Sequence, residues 1–175
     1  MRVLKTILKP LVVTVLLVAI CLSLVSCGYV EKSELGLNFV IPEDYERLYD
    51  FDLDEEELLE GDIKYGNGET MLVVHLKLYS DYDLTPDATV AECTEKIIDA
   101  MKFKNVMLTV DEENRRSQFD VWATQDGSVS YYNYITVLLS DSYIYIVKYV
   151  CAGSEKEMSK HKEDFVEMAS KLSVR

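Results

Sequence analysis

The chain has 175 residues and a formal net charge of −13, which results from 18 basic and 31 acidic side chains. This excess of carboxylates repels the phosphate backbone of nucleic acids and therefore excludes nucleic-acid binding as the main function. Only three Pro and seven Gly residues occur, so the composition is unlike that of low-complexity or collagen-like chains, and the length suits one globular domain with a short extra segment.

The first 26 residues have the three parts of an export signal. Arg2, Lys5 and Lys9 precede a nearly continuous apolar run over residues 11–24, and no acidic residue occurs before residue 27. A bilayer-spanning helix needs about 20 apolar residues, so this shorter run fits the apolar core of a secretory signal better than a transmembrane helix. We therefore assign residues 1–26 to a signal peptide.

The end of this segment, Leu24-Val25-Ser26-Cys27, resembles the lipobox of bacterial lipoproteins. The resemblance implies that the Cys27 sulfur receives a diacylglycerol group, that cleavage makes Cys27 the mature N-terminus, and that the protein lies on the extracytoplasmic face of the cell membrane. Two acyl chains, such as palmitate, anchor a protein stably, because each buried methylene contributes about 0.8 kcal/mol. The alternative is an ordinary signal anchor in which the cysteine occurs by chance.

The rest of the chain is predicted to be a short tether over residues 27–35 followed by one domain over residues 36–175. Alternating and helical apolar patterns, together with turn residues, divide this domain into elements. In chain order, these are a strand over 36–42, an acidic loop over 45–61 with a helical turn at 55–60, a strand over 71–79, a helix beginning near Thr85 or Thr89, a hairpin of 106–110 and 118–124, two long strands over 128–139 and 143–151, and a helix beginning near Ser154.

This order predicts an α+β fold, in which an antiparallel sheet packs against two main helices as a sandwich. Thr89 with Glu92, and Ser154 with Glu157, have the spacing of capping boxes, which supports the two helix starts. In the strand over 71–79, the alternation places Leu72, Val74, Leu76 and Leu78 toward the core. Met71, Val73, His75 and Lys77 would then face the other side.

Two parts of the domain resemble the PsbP/DcrB/LpqN-like group. The opening run over residues 36–45, GLNFVIPEDY, is similar to that group's entry motif, with Tyr45 in place of its usual aromatic residue. The last helix, with Phe165 and then Ala169-Ser170-Lys171-Leu172, resembles its closing segment. The resemblance implies an antiparallel sheet between helices and a non-catalytic envelope protein that acts through protein contacts. Many members are lipoproteins, which agrees with the motif at Cys27.

No catalytic constellation is found in the sequence, so we expect that the protein is not an enzyme and needs no cofactor. His75 and His161 are the only histidines, and neither has a partner at the spacing of a zinc site. An acidic stretch begins like a calcium loop, but Glu55 stands where such loops require glycine. This stretch is either a solvated acidic loop or a weak calcium site formed by Asp50, Asp52, Asp54, Glu56 and Glu57.

Two further cysteines, Cys93 and Cys151, lie within the domain. In an exported protein they could form a disulfide. Two buried free thiols, which behave as small apolar side chains, are the alternative.

Aromatic residues are concentrated on one predicted hairpin and the strand before it. Exposed on one face of a sheet, they would form a rigid contact surface for a glycan or a protein. If the last helix covers that face, they would instead pack in the core, which we consider the better interpretation. The residues are Trp122, Tyr132, Tyr134, Tyr143, Tyr145 and Tyr149.

The sequence therefore predicts a membrane-anchored lipoprotein that acts as a binding or accessory module of the cell envelope. Its membrane contact would be the lipid on Cys27, and its acidic charge suits a cationic envelope protein or peptide as partner. The alternative is a lipoprotein that binds a glycan or small molecule through the aromatic surface.

Overall fold

The computed structural model describes residues 28–49, 62–104, 106–125, 129–153 and 155–175. Within these ranges, all strand pairings are antiparallel. The strands are β1 Tyr29–Glu34, β2 Leu37–Pro42, β3 Glu46–Arg47, β4 Ile63–Gly66, β5 Thr70–Leu78, β6 Thr109–Asp111, β7 Arg116–Gln125, β8 Val129–Leu139, β9 Tyr143–Ala152 and β10 Ser173–Val174. The α-helices among the described residues are α1 Val90–Ala100 and α2 Glu155–Ser170, and a 3-10 helix spans Tyr79–Tyr82.

The strands form a seven-stranded sheet in the order β3-β4-β5-β9-β8-β7-β6 and a small sheet in the order β1-β2-β10. The two described α-helices pack against the large sheet, and this confirms the predicted α+β sandwich. Within the described residues, no helix is both long enough and apolar enough to cross a membrane.

Strand β1 corrects the prediction of a tether over residues 27–35. Residues 29–34 pair with β2 along its whole length, from Tyr29 opposite Pro42 to Glu34 opposite Leu37. The two strands turn at Leu35 and Gly36, whose φ angles are 51° and 82°. β1 is a mostly polar edge strand with several exposed side chains. Its sequence therefore shows little alternation of apolar and polar residues, which is the pattern that predicts a strand.

One face of the large sheet packs against α2 and the small sheet. From α2 and the residues after it, Phe165, Met168, Ala169 and Leu172 are buried. From β2, Phe39 and Ile41 enter the same cluster. The Tyr145 hydroxyl donates to the Leu35 carbonyl at 2.9 Å and so ties the β1–β2 turn to the large sheet.

The opposite face packs against α1. Val90, Cys93 and Ile97 of this helix contact a second buried cluster from β7, β8 and β9. The helix begins at the predicted capping box, where the Thr89 hydroxyl accepts from the Glu92 amide at 3.2 Å and the Glu92 carboxylate accepts from the Thr89 amide at 2.9 Å. The predicted cap at Ser154 lies outside the described residues.

Strand β5 shows that both faces of the sheet are covered. Val73 is fully buried although the alternation predicted it away from the core, and Leu78 is 49% exposed although it was predicted in the core. A central strand between two covered faces loses the simple inward and outward alternation. The second face therefore also buries polar residues, namely Lys64, Asn133 and Lys148.

Candidate functional site

The predicted aromatic surface is largely part of the core. Tyr132, Tyr145 and Tyr149 are at most 3% exposed. The Phe165 ring of α2 stacks on Tyr149 and Tyr132, with centroid distances of 5.7 and 6.4 Å. Because α2 covers Tyr132 and Tyr149, and the β1–β2 turn contacts the Tyr145 hydroxyl, these three tyrosines are not available for a ligand. They pack as the core alternative expects.

The aromatic residues that stay exposed lie far apart. Trp122 and Tyr143 are 43% and 40% exposed, whereas Tyr134 is partly buried. Trp122 on β7 pairs with Tyr132 on β8, and Tyr132 pairs with Cys151 near the end of β9. Tyr143 is the first residue of β9 and therefore lies at the opposite end of that strand. Since a strand rises about 3.3 Å per residue, they are roughly 25 Å apart along the sheet and do not form one site.

The two domain cysteines are both free and buried. Cys93 belongs to the cluster beneath α1 and Cys151 to the cluster beneath α2, so they lie on opposite faces of the sheet. The structure therefore does not contain the predicted Cys93–Cys151 disulfide. Burial raises the pKa of the Cys93 thiol to about 11, and it also raises the pKa of the Cys151 thiol.

We predict that both thiols resist alkylation in the folded protein at pH 8. A reactive cysteine must be accessible and ionised, and neither condition holds at these positions. Peptide mass spectrometry should show Cys93 and Cys151 modified by iodoacetamide in full only after denaturation. A peptide in which the two cysteines are linked, before any oxidation step, would contradict the structure.

Two of the predicted sites fall outside the described residues. They are the lipidation site at Cys27 and the weak calcium site at Asp50, Asp52, Asp54, Glu56 and Glu57. Across the part of the chain that is described, no group of three or more His, Cys, Asp or Glu side chains is placed to hold a metal ion.

A different site lies on the sheet face that α1 covers, beside the C-terminal end of the helix. There, a cavity of about 360 Å³ opens between the sheet and the residues that follow α1. Its described lining residues come from four structural elements and the α1 end: His75 and Lys77 of β5, Asn133 of β8, Ile146 and Lys148 of β9, Tyr82 of the 3-10 helix, and Ala100, Met101, Lys102 and Phe103. We call this the lysine cavity.

Strand pairing brings the polar groups of the lysine cavity together. His75 of β5 lies directly opposite Ile146 of β9, and Lys77 opposite Ile144. Lys148 lies two residues beyond Ile146 and therefore on the same face. Asn133 on β8 pairs with Val150, which lies two residues beyond Lys148 and on the same face. A side chain from each of three neighbouring strands thus reaches the cavity floor.

The end of α1 forms one wall of the cavity. The Phe103 amide donates to the Ile98 carbonyl at 3.1 Å, and the Lys102 amide donates to the Asp99 carbonyl at 3.0 Å. Lys102 adopts a φ of 58°, the left-handed conformation in which helices commonly end and which favours glycine. This turn places Lys102 and Phe103 at the cavity.

The electrostatics of the cavity are dominated by lysines. His75 is surrounded by Lys148, Lys77 and Lys64, and its burial together with these charges lowers the pKa of its imidazole to about 3. The ring is therefore neutral at pH 7. Its Nε2 is buried and has no hydrogen-bond partner among the described residues. Lys64 and Lys148 make contacts of their own, so neither is an isolated cation.

The sequence predictions did not identify these residues as a site. Two signals were nevertheless present, because Lys148 lies within an otherwise apolar and aromatic strand and Lys77 lies between two leucines of β5. Charged residues are rarely buried in strands without a partner or a role. What the sequence lacks is the information that β5 and β9 are neighbours.

Comparison with known proteins shows the fold of this chain. No family model and no curated protein matches it. Among solved structures, it is similar to a mutant of the protein Mog1, with 11% identity and a TM-score of 0.54 over 84% of this chain and 96% of that one.

Two further solved structures are similar at lower TM-scores. Cyanobacterial PsbP (CyanoP) from Synechocystis has 16% identity and a TM-score of 0.40, over 85% of this chain and 94% of that one. LpqN of Mycobacterium tuberculosis, described as involved in cell envelope biogenesis, has 11% identity and a TM-score of 0.48, over 84% and 89%. At such identities a structural likeness concerns the fold, and the comparison with Mog1 confirms the α+β sandwich.

Proposed function

We propose that the protein is a lipoprotein, anchored by lipid on Cys27 to the extracytoplasmic face of the membrane, and that it acts as a non-catalytic binding module of the cell envelope. The observation that carries this proposal is the position of the lipobox relative to the fold. The motif ends at Cys27 and strand β1 begins at Tyr29. Cleavage before Cys27 would remove no residue of any described strand or helix.

The start of the fold supports a close approach to the membrane. The Gly28 carbonyl accepts from the Glu43 amide at 2.9 Å, so the ordered hydrogen bonding of the domain begins one residue after Cys27. A lipid on Cys27 would therefore hold the small sheet next to the lipid headgroups, without the longer tether that the sequence suggested.

Positive side chains on the small sheet favour the same arrangement. Lys32, Lys171 and Arg175 line one groove on this sheet, together with Glu31. Basic residues near an anionic membrane each contribute about 1 kcal/mol to attraction. They would offset part of the repulsion between the acidic domain and the membrane.

We assign a binding role and no reaction because the candidate nucleophiles are poorly suited to catalysis. Burial raises the pKa of both domain thiols, whereas a catalytic thiol needs a lowered pKa. A cationic envelope protein or peptide is the proposed partner, since the chain carries a net charge of −13.

Intact mass spectrometry of protein extracted from membranes tests the anchor. We expect the wild-type mass to equal residues 27–175 plus acyl chains, and we expect the Cys27→Ala variant to be unprocessed and free of lipid. Cys21→Ala is the matched control, because Cys21 lies within the signal segment and should leave both processing and lipid unchanged. An unprocessed wild-type chain without lipid would show that residues 1–26 are a signal anchor.

Binding of a small molecule is a second function, and the lysine cavity favours it. The aromatic surface that first suggested this function is mostly buried. The cavity, in contrast, has a volume within the range of small-molecule sites.

A further inference from the structure

We propose that the lysine cavity binds a small organic anion, with a carboxylate or phosphate group held by the lysines and an apolar body held against the aromatic side chains. The proposal concerns the cavity alone. It holds whether or not Cys27 carries lipid, so either proposal can fail without the other.

The first observation is the sign of the charge. In a chain with a net charge of −13, the described lining of this cavity contains Lys77, Lys102 and Lys148 and no carboxylate. The three lysines come from two strands and the end of a helix, so no local sequence run explains their proximity. The positive charges of the three side chains attract an anion to the cavity.

The second observation is the supply of hydrogen-bond donors. His75 Nε2 is buried without a partner among the described residues. In a neutral imidazole one ring nitrogen carries a proton, so Nε2 can donate to an anion oxygen. Asn133 is 1% exposed, and its amide nitrogen, which has two hydrogens, donates to the Tyr131 carbonyl at 3.4 Å. A second N–H of Asn133 is available in the same lining.

The third observation defines the rest of the ligand. Tyr82, Met101, Phe103 and Ile146 supply the apolar part of the lining. A volume of about 360 Å³ suits a molecule with a single ring. The cavity therefore combines a cationic end with an apolar wall, which is the complement of an aromatic carboxylate or an aromatic phosphate.

The fourth observation is the backbone at Lys102. A lysine with a φ of 58° is less favourable than a glycine would be at this position. Lys102 thus brings a charge to the cavity at the expense of local backbone stability. Replacement of Lys102 by glycine would remove the charge without destabilising the fold, so this variant separates an effect on binding from an effect on folding.

Calorimetric titration of the protein, purified in a nonionic detergent, tests the proposal. The probes are phenyl phosphate and benzoate, with benzyl alcohol as an uncharged control and inorganic phosphate as a control without the apolar body. We expect at least one of the two aromatic anions to bind, and to bind about tenfold more tightly than either control. The proposal would be overturned if neither aromatic anion binds, or if benzyl alcohol binds as tightly as the aromatic anions do.

Charge variants locate the binding. Lys77→Gln and Lys102→Gly should each weaken anion binding by about fivefold to tenfold. Lys96→Gln removes one charge from an exposed position of α1 outside the cavity lining and should change affinity less than twofold. Lys102→Gly should also unfold at a temperature no lower than wild type, so weaker binding would not reflect unfolding. Equal losses for Lys96→Gln and the cavity variants would refute the site.

The imidazole of His75 gives an independent readout by NMR. Bound anion should shift the His75 ring resonance and raise the pKa of His75, because negative charge favours the protonated ring. Comparison with the His161→Gln variant, in which His75 is the only histidine, identifies the signal of His75. An unchanged His75 resonance at saturating phenyl phosphate or benzoate would place the ligand elsewhere and overturn the proposal.

Discussion

Replacement of Phe165 by alanine should lower the free energy of unfolding by about 3–5 kcal/mol, the typical cost of removing a buried aromatic ring. Phe165 is 1% exposed, and its ring lies against Tyr149 and Tyr132 on the large sheet. Through this one ring, α2 contacts both long strands of the hairpin, β8 and β9. The cavity left by alanine would lie between helix and sheet, where the surrounding β-strands have little freedom to move inward.

The next residue of the same helix provides the control. Val166 is 43% exposed, so Val166→Ala should change the free energy of unfolding by less than about 0.5 kcal/mol. Denaturant unfolding can be followed by the fluorescence of Trp122, which is the only tryptophan and contacts Tyr132 with ring centroids 5.6 Å apart. Equal stability of the two variants would mean that α2 does not pack on the sheet as the structure shows.

The elements that the sequence predicted well are those with strong local signals. Helix α1 has a capping box at Thr89 and an apolar stripe, and β8 and β9 are long apolar and aromatic strands around a short polar turn. Such signals depend on residues within a few positions of one another, so they can be read without knowledge of the fold. The apolar stripe of α2 around Phe165 is another example.

Features that depend on distant parts of the chain were predicted less well. Strand β1 is stabilised by pairing with β2 and not by its own pattern, so it looked like a tether. Alternation correctly indicated that Tyr132 and Tyr134 share a face, as do Tyr145 and Tyr149. It could not show whether that face is covered, because the covering element, α2, comes later in the chain.

The lysine cavity illustrates the same limit for a site. Its lysines at positions 77, 102 and 148 are widely separated in sequence, and only the pairing of β5 with β9 and the turn after α1 bring them together. Pairing between distant strands is set by the whole fold and not by a local motif. The positions of Lys148 within an apolar and aromatic strand and of Lys77 between two leucines were the only sequence signal.

The protonation of His75 makes stability depend on pH in a defined window. The folded pKa of His75 is about 3, and the unfolded value is near the ordinary 6.5. Between these values the unfolded chain binds a proton that the folded chain does not bind, so lowering the pH stabilises the unfolded state. The charged groups that oppose protonation are Lys148 on β9, Lys77 on β5 and Lys64 on β4.

We therefore expect the wild-type protein to lose about 2–3 kcal/mol more of its free energy of unfolding than the His75→Gln variant when the pH falls from 7 to 4.5. The variant keeps a polar side chain of similar size that does not titrate, and the carboxylates common to both proteins contribute equally to both curves. Denaturant unfolding of the two proteins at each pH measures the difference. If both proteins lose the same stability, His75 is protonated in the folded state and does not lie among the lysines as a neutral ring. A loss that is larger only in the wild type would establish the neutral, buried imidazole on which recognition of an anion in this cavity depends.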